Sequence, residues 1–166
     1  MRHLVTFGAN QTLVEALERY KVRFLVIGGL AVQFYDSTRE ADHLDLLADP
    51  TIDNARRLVR ALRTMHVFPE PGAAERFAAG AAGFHLRQWS LFADILSEPV
   101  EAFAAHWAQA SDAFVGSAPV KVPSAEMILD YWDRHPPKHA DDVTRLERFL
   151  AMTRSPESRE HEVPPA

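Results

Sequence analysis

The chain has no cysteine, so disulfides, thiolate metal ligands and a thiol nucleophile are all excluded as elements of its chemistry. This suits a reducing compartment. No run approaches the ~18 consecutive apolar residues of a membrane span, and the opening "MRHLVTFGANQ" has too short an apolar core for a signal peptide; a cytoplasmic protein without a membrane partner is expected. There is no excess of positive charge. The net charge of -5 argues against broad adhesion to DNA or another phosphate backbone. Neither a GxSxG nucleophile elbow nor a GxxxxGK[ST] phosphate loop occurs, and no internal repeat is visible.

What is present is an ordinary globular mixture, 47% hydrophobic and 25% charged over 166 residues, enough for one domain with a sizeable core. A single domain is expected over residues 1–153. The polar, proline-rich stretch from 154 to 166 is expected to be a disordered tail.

Local patterns give the elements. "TLVEALERYKV" reads as a helix opened by a Thr12–Glu15 capping box. "RFLVIGG" reads as a buried strand stopped at Gly28 and Gly29, followed by the helical "LAVQFY". "HLDLLAD" is a second strand, after which Asp49 and Pro50 form a helix start, with the arginines at 56, 57, 60 and 63 on a solvated face. "PEPGAAERFAAGAAG" reads as a loop with at most one weak helical turn. "FHLRQ" and "LFADILSE" form a hairpin around Trp89 and Ser90, and "FVGSAPVKVPS" a short extended pair. Ser124 caps a helix, the "HPPKH" breaker follows, and a last helix buries Val143, Leu146, Phe149 and Leu150. Tyr131, Trp132 and Phe149 keep helical spacing and read as core rather than as a base-stacking platform.

Two carboxylates stand out. Asp45 lies among Leu44, Leu46 and Leu47, and Asp94 between Ala93 and Ile95, where burial is costly without a partner or an ion. Gly28-Gly29 on its own is also what a plain strand-to-helix turn requires. His85 and Arg87 alternate on the hairpin and either face the cleft or lie on a half-exposed strand. His135 and His139 have no zinc spacing and read as a solvated loop.

The order "VIGGLAV", Arg39, "HLDLL", "FADIL", then "VKVPSAEMILDYWDRHPPKHADDVTRLERFL", resembles the polymerase-β-like nucleotidyltransferase superfamily over roughly residues 10 to 150. It looks most like the small bacterial members of minimal-nucleotidyltransferase and toxin-antitoxin systems. The resemblance implies an α/β fold with a mixed, twisted sheet of about four or five strands, flanking helices and a C-terminal helical pair. It implies metal-dependent transfer of a nucleoside monophosphate from an NTP to a hydroxyl of protein or RNA, with Mg²⁺ or Mn²⁺. Gly28, Gly29 and Arg39 would bind nucleotide, and Asp45 and Asp94 would be the catalytic carboxylates and metal ligands.

The sequence departs from that pattern at one point. Residues two apart on a strand share a face, so the partner of Asp45 is His43, where the family carries an aspartate. Imidazole binds Mn²⁺ but is a poor Mg²⁺ ligand and brings no negative charge. Asp42 joins the metal ligands only if a bulge turns it round. The residue two after Arg39 is Ala41 rather than the family's small hydroxyl residue. A second reading follows: a catalytically degenerate nucleotidyltransferase-fold module that binds a nucleotide or a protein.

Overall fold

In the computed structural model, which describes residues 1–155, the strand Phe24–Ile27 is buried along its whole length, four apolar residues without one facing water. This strand, β2 in chain order, lies at the middle of a seven-stranded mixed sheet. The other strands are β1 (Arg2–Leu4), β3 (Leu44–Ala48), β4 (Phe84–Gln88), β5 (Leu91–Ser97), β6 (Ser111–Val115) and β7 (Ala118–Val122), in the spatial order β1-β6-β7-β2-β3-β5-β4. The pairs β1–β6, β7–β2 and β3–β5 are parallel, and β6–β7, β2–β3 and β5–β4 antiparallel.

Seven strands correct the expected four or five. The three-residue β1 is too short, and too polar at Arg2 and His3, to be seen in its own pattern; it exists by pairing with residues 113–115. The extended pair β6–β7 does not stand apart either, because Leu25 on β2 registers with Lys121 on β7.

Among the described residues seven helices accompany the sheet: α1 (Ala9–Arg19), α2 (Gly28–Tyr35), α3 (Ile52–Thr64), α4 (Ala73–Ala78), α5 (Val100–Ala108), α6 (Ala125–Arg134) and α7 (Ala140–Arg154). One packed group comprises α1, α3 and α4; another comprises α2, α6 and α7. The stripe Ala55, Leu58 and Leu62 buries α3 against the core while Arg56, Arg60 and Arg63 stay exposed, the amphipathic division its pattern requires. Ser124 caps α6 by accepting from the Met127 N–H at 3.2 Å. The expected disordered stretch from 154 lies, from residue 156 onward, outside the described residues.

Two helix starts differ from expectation for identifiable reasons. Helix α1 begins at Ala9 rather than at a Thr12 cap, because its first N–H donates to Ser90 Oγ of the β4–β5 hairpin at 3.1 Å, a cap from elsewhere in the chain. Helix α3 has Thr51 as N-cap; Asp49 instead accepts from the Thr51 N–H at 2.9 Å and from Arg23 at 3.0 Å.

Candidate functional site

Strand register assembles the site. Ile27 pairs with Asp45 across β2–β3, Asp45 with Asp94 across β3–β5, and Asp94 with His85 across β5–β4, so one row across the sheet carries the end of β2, both carboxylates and a histidine. Side chains in register on neighbouring strands share a face. Helix α2 begins where β2 ends. Gly28 has φ +65° and lies so close beneath Asp45 that a Cβ there would sit 2.3 Å from Asp45 Oδ2. The glycine is therefore required twice, by conformation and by the approach of the carboxylate.

His43 stands just before β3, and its Nε2 is 2.9 Å from Asp94 Oδ2 and 3.3 Å from Asp45 Oδ1. One ligand atom from each of His43, Asp45 and Asp94 lies within 4.8 Å of the others. With metal–ligand bonds near 2.0–2.2 Å, two donors on one ion stand at most about 4.4 Å apart, so a small inward movement suits the trio to a single ion. Asp42 is exposed and stands apart from the trio; its carbonyl accepts from Asn10 Nδ2 at 3.1 Å, which holds the bend that delivers His43.

The two carboxylates differ electrostatically. Burial raises the Asp45 carboxyl above its ordinary range, opposed by His43 and Lys138. Burial also pushes Asp94 upward, but hydrogen bonds from Arg87, His85 and His43 outweigh it and leave the carboxyl well below the usual range. Arg87 Nη2 donates to both Asp94 oxygens, at 2.9 and 3.0 Å, and His85 Nδ1 stands 2.7 Å from Oδ1. Lys138, from the "HPPKH" segment between α6 and α7, brings Nζ to 3.5 Å from Oδ2.

Arg39 reaches the same place differently. Its guanidinium packs over Gly29, where a Cβ would be 2.7 Å from Nη2, and it holds Asp142 of α7 through bonds of 2.6 and 3.0 Å. A cavity of about 190 Å³ opens beside these groups, lined among others by Gly28, Asp45, Asp94, Trp132, Lys138 and Asp142. Tyr131 and Trp132 are core residues that also form a wall of this cavity.

All the residues singled out from sequence, Gly28, Gly29, Arg39, His43, Asp45 and Asp94, thus meet at one cavity, with Asp42 at its rim. Pattern reading left the places of His85 and Arg87 open and put the "HPPKH" loop in solvent; His135, Lys138 and His139 are exposed, and they also line the cavity. It overlooked Asn10 altogether. That residue is fully buried, bonding to the Asp42 carbonyl and, at 2.9 Å, to the Phe92 N–H on β5. A polar residue in a helix whose neighbours Leu13, Val14 and Leu17 are core was the available signal.

No protein-family model matches the chain, and no curated protein matches it. Solved structures do. The solution structure of the antibiotic-resistance factor ANT(2'')-Ia matches with a TM-score of 0.51 at 16% identity, over 89% of this chain and 85% of that one. The crystal structure of ANT(2'')-Ia in complex with adenylyl-2''-tobramycin matches with a TM-score of 0.52 at 16% identity, over 91% of this chain and 92% of that one. At this identity the likeness concerns architecture alone, and it is enough for one conclusion: the chain shares the fold of ANT(2'')-Ia.

Proposed function

We propose that this chain binds a nucleoside triphosphate beside Gly28-Gly29 and transfers its nucleoside monophosphate to a hydroxyl on a protein or RNA. The observation that carries the reading is the row of Asp45 and Asp94, adjacent in register and opening on the glycine turn. Carboxylates inside an apolar sheet are costly to keep without a task. In the reaction the acceptor oxygen bonds to the α-phosphorus, the bond to pyrophosphate breaks, and the hydroxyl proton leaves to solvent.

His43, Asp45 and Asp94 would hold a divalent ion, which supplies neutralising charge to the phosphates and acidifies the attacking hydroxyl. The donor set, one nitrogen and two carboxylates, fits one Mn²⁺ better than a pair of Mg²⁺ ions. Around it the chain's own groups do the positioning. The first N–H groups of α2 would face a triphosphate bound beside Gly28-Gly29, and Lys138 lines the same cavity. Arg39, tied to Asp142, keeps the α7 side of the cavity in place.

A specific observation favours a second reading, that the site binds nucleotide without turnover. Asp94, the carboxylate that would orient the acceptor, already has both oxygens engaged by Arg87 and two histidines. The two readings separate on incubation with α-labelled NTPs and Mg²⁺ or Mn²⁺. Transferred label lost in Asp45→Ala is expected under the first. Label absent from the wild type but present in His43→Asp establishes the second, a site switched off by one histidine. Retention of transfer in Asp45→Ala would sink the catalytic assignment.

A further inference from the structure

We infer that Arg87 sets the metal stoichiometry of this site, taking by its guanidinium the place beside Asp94 that a second divalent ion would need. This rests on the reading of His43, Asp45 and Asp94 as a metal site. A two-ion centre needs carboxylate oxygens free to face both ions. Asp45 has Oδ1 in contact with His43 and Oδ2 lying over Gly28, and it retains room for an ion. Asp94 does not. Its Oδ1 accepts from Arg87 and His85, and its Oδ2 from Arg87 and His43, with Lys138 close by.

Arg87 is also fixed from behind. Its Nη1 donates to the carbonyls of Leu86 at 2.8 Å and Ala93 at 3.1 Å, which clamps the guanidinium to its own hairpin rather than leaving it to swing into solvent. The charge sum points the same way. Asp45 and Asp94 contribute two negative charges, Arg87 and Lys138 two positive ones, and His85 and His43 none when neutral. With both histidines neutral the cluster carries no net charge before any ion arrives, so a first ion is attracted by Asp45 and His43 locally, and a second meets only a carboxylate already neutralised. Of the two cations Arg87 is the closer and the better anchored; Lys138 is longer-ranged and more exposed.

The experiment is a titration of the full chain with Mn²⁺ alone, counting free ion by electron paramagnetic resonance. The wild type is expected to bind one ion at the cluster, and Asp45→Ala to abolish it. Arg87→Gln is expected to take up a second ion, and Arg87→Lys and Lys138→Gln to keep one. Thermal melts of each variant establish that it is folded. Two ions bound per wild-type chain, or an Arg87→Gln variant that still binds only one while Asp45→Ala abolishes binding, would overturn the role of Arg87 alone. Binding indifferent to Asp45→Ala, or none in any variant, would overturn the metal-site reading beneath it.

Discussion

Gly28 sets the distance between the phosphate-facing turn and the carboxylate above it. With φ +65° and a would-be Cβ 2.3 Å from Asp45 Oδ2, any side chain must both strain the backbone and displace the carboxylate. A non-glycine residue in that region costs roughly 1–2 kcal/mol before any clash is counted, and a clash that shifts Asp45 adds to it. Gly28→Ala is expected to lower the urea midpoint by an amount equivalent to roughly 1–3 kcal/mol. It should also weaken Mn²⁺ binding more than its stability loss alone explains, because Asp45 is moved. A variant with wild-type ion affinity and an unchanged midpoint would show that the close approach does not constrain the site. The neighbouring Gly29 has ordinary helical geometry and is limited only by the Arg39 guanidinium, a flexible group that can give way.

Individual elements are joined to the site by polar ties that differ in how visible they are beforehand. Asp36, at the end of α2, accepts from the Thr38 hydroxyl and N–H at 2.6 and 3.0 Å and from Arg145 of α7 at 2.5 Å, so α2 and α7 are coupled beside the Arg39–Asp142 pair. Its carboxyl lies below the ordinary range, chiefly through the Thr38 hydroxyl and then the Thr38 N–H, with Arg145 contributing. A carboxyl whose folded pKa is depressed adds stability above its unfolded pKa of about 4 and loses it as pH falls through the lower folded value. The stability gap between wild type and Asp36→Asn is therefore expected at pH 7 and should close below about pH 4. Denaturant midpoints across that range test it, and a gap independent of pH would mean that the charge of Asp36 plays no part. The Asp-Ser-Thr turn is local and readable from sequence; its link to Arg145 spans 109 residues and is not. The same division holds elsewhere. Period-two alternation is enough to put His43 beside Asp45, and short β-rich runs mark β2, β3 and the β4–β5 hairpin. Tertiary partners decide the rest: Ser90 starts α1 four residues early, β6 makes a strand of Arg2–Leu4, and Arg87 turns toward Asp94.

At the scale of the whole molecule, architecture and chemistry come apart. A fold shared with ANT(2'')-Ia at 16% identity does not fix the chemistry of the site, and in this chain Arg87 and Lys138 both stand against one carboxylate, Asp94. Nucleotide binding and nucleotide turnover therefore need separate measurements. Binding to the folded chain alone stabilises it by RT ln(1 + [L]/Kd), about 2.7 kcal/mol at a hundredfold excess over Kd. For a chain of this size that corresponds to a rise in melting temperature of about 5–10 °C. ATP with Mn²⁺ is expected to give such a rise in the wild type, and a much smaller one in Asp45→Ala, whose ion site is gone. A shift without transferred label would mark a nucleotide-binding module; a shift with it, an enzyme. Were no NTP with either metal to move the wild-type melt at millimolar concentration, neither reading of the cavity would stand, and the paired carboxylates would have to be explained by their bonds to Arg87, Lys138 and the two histidines alone.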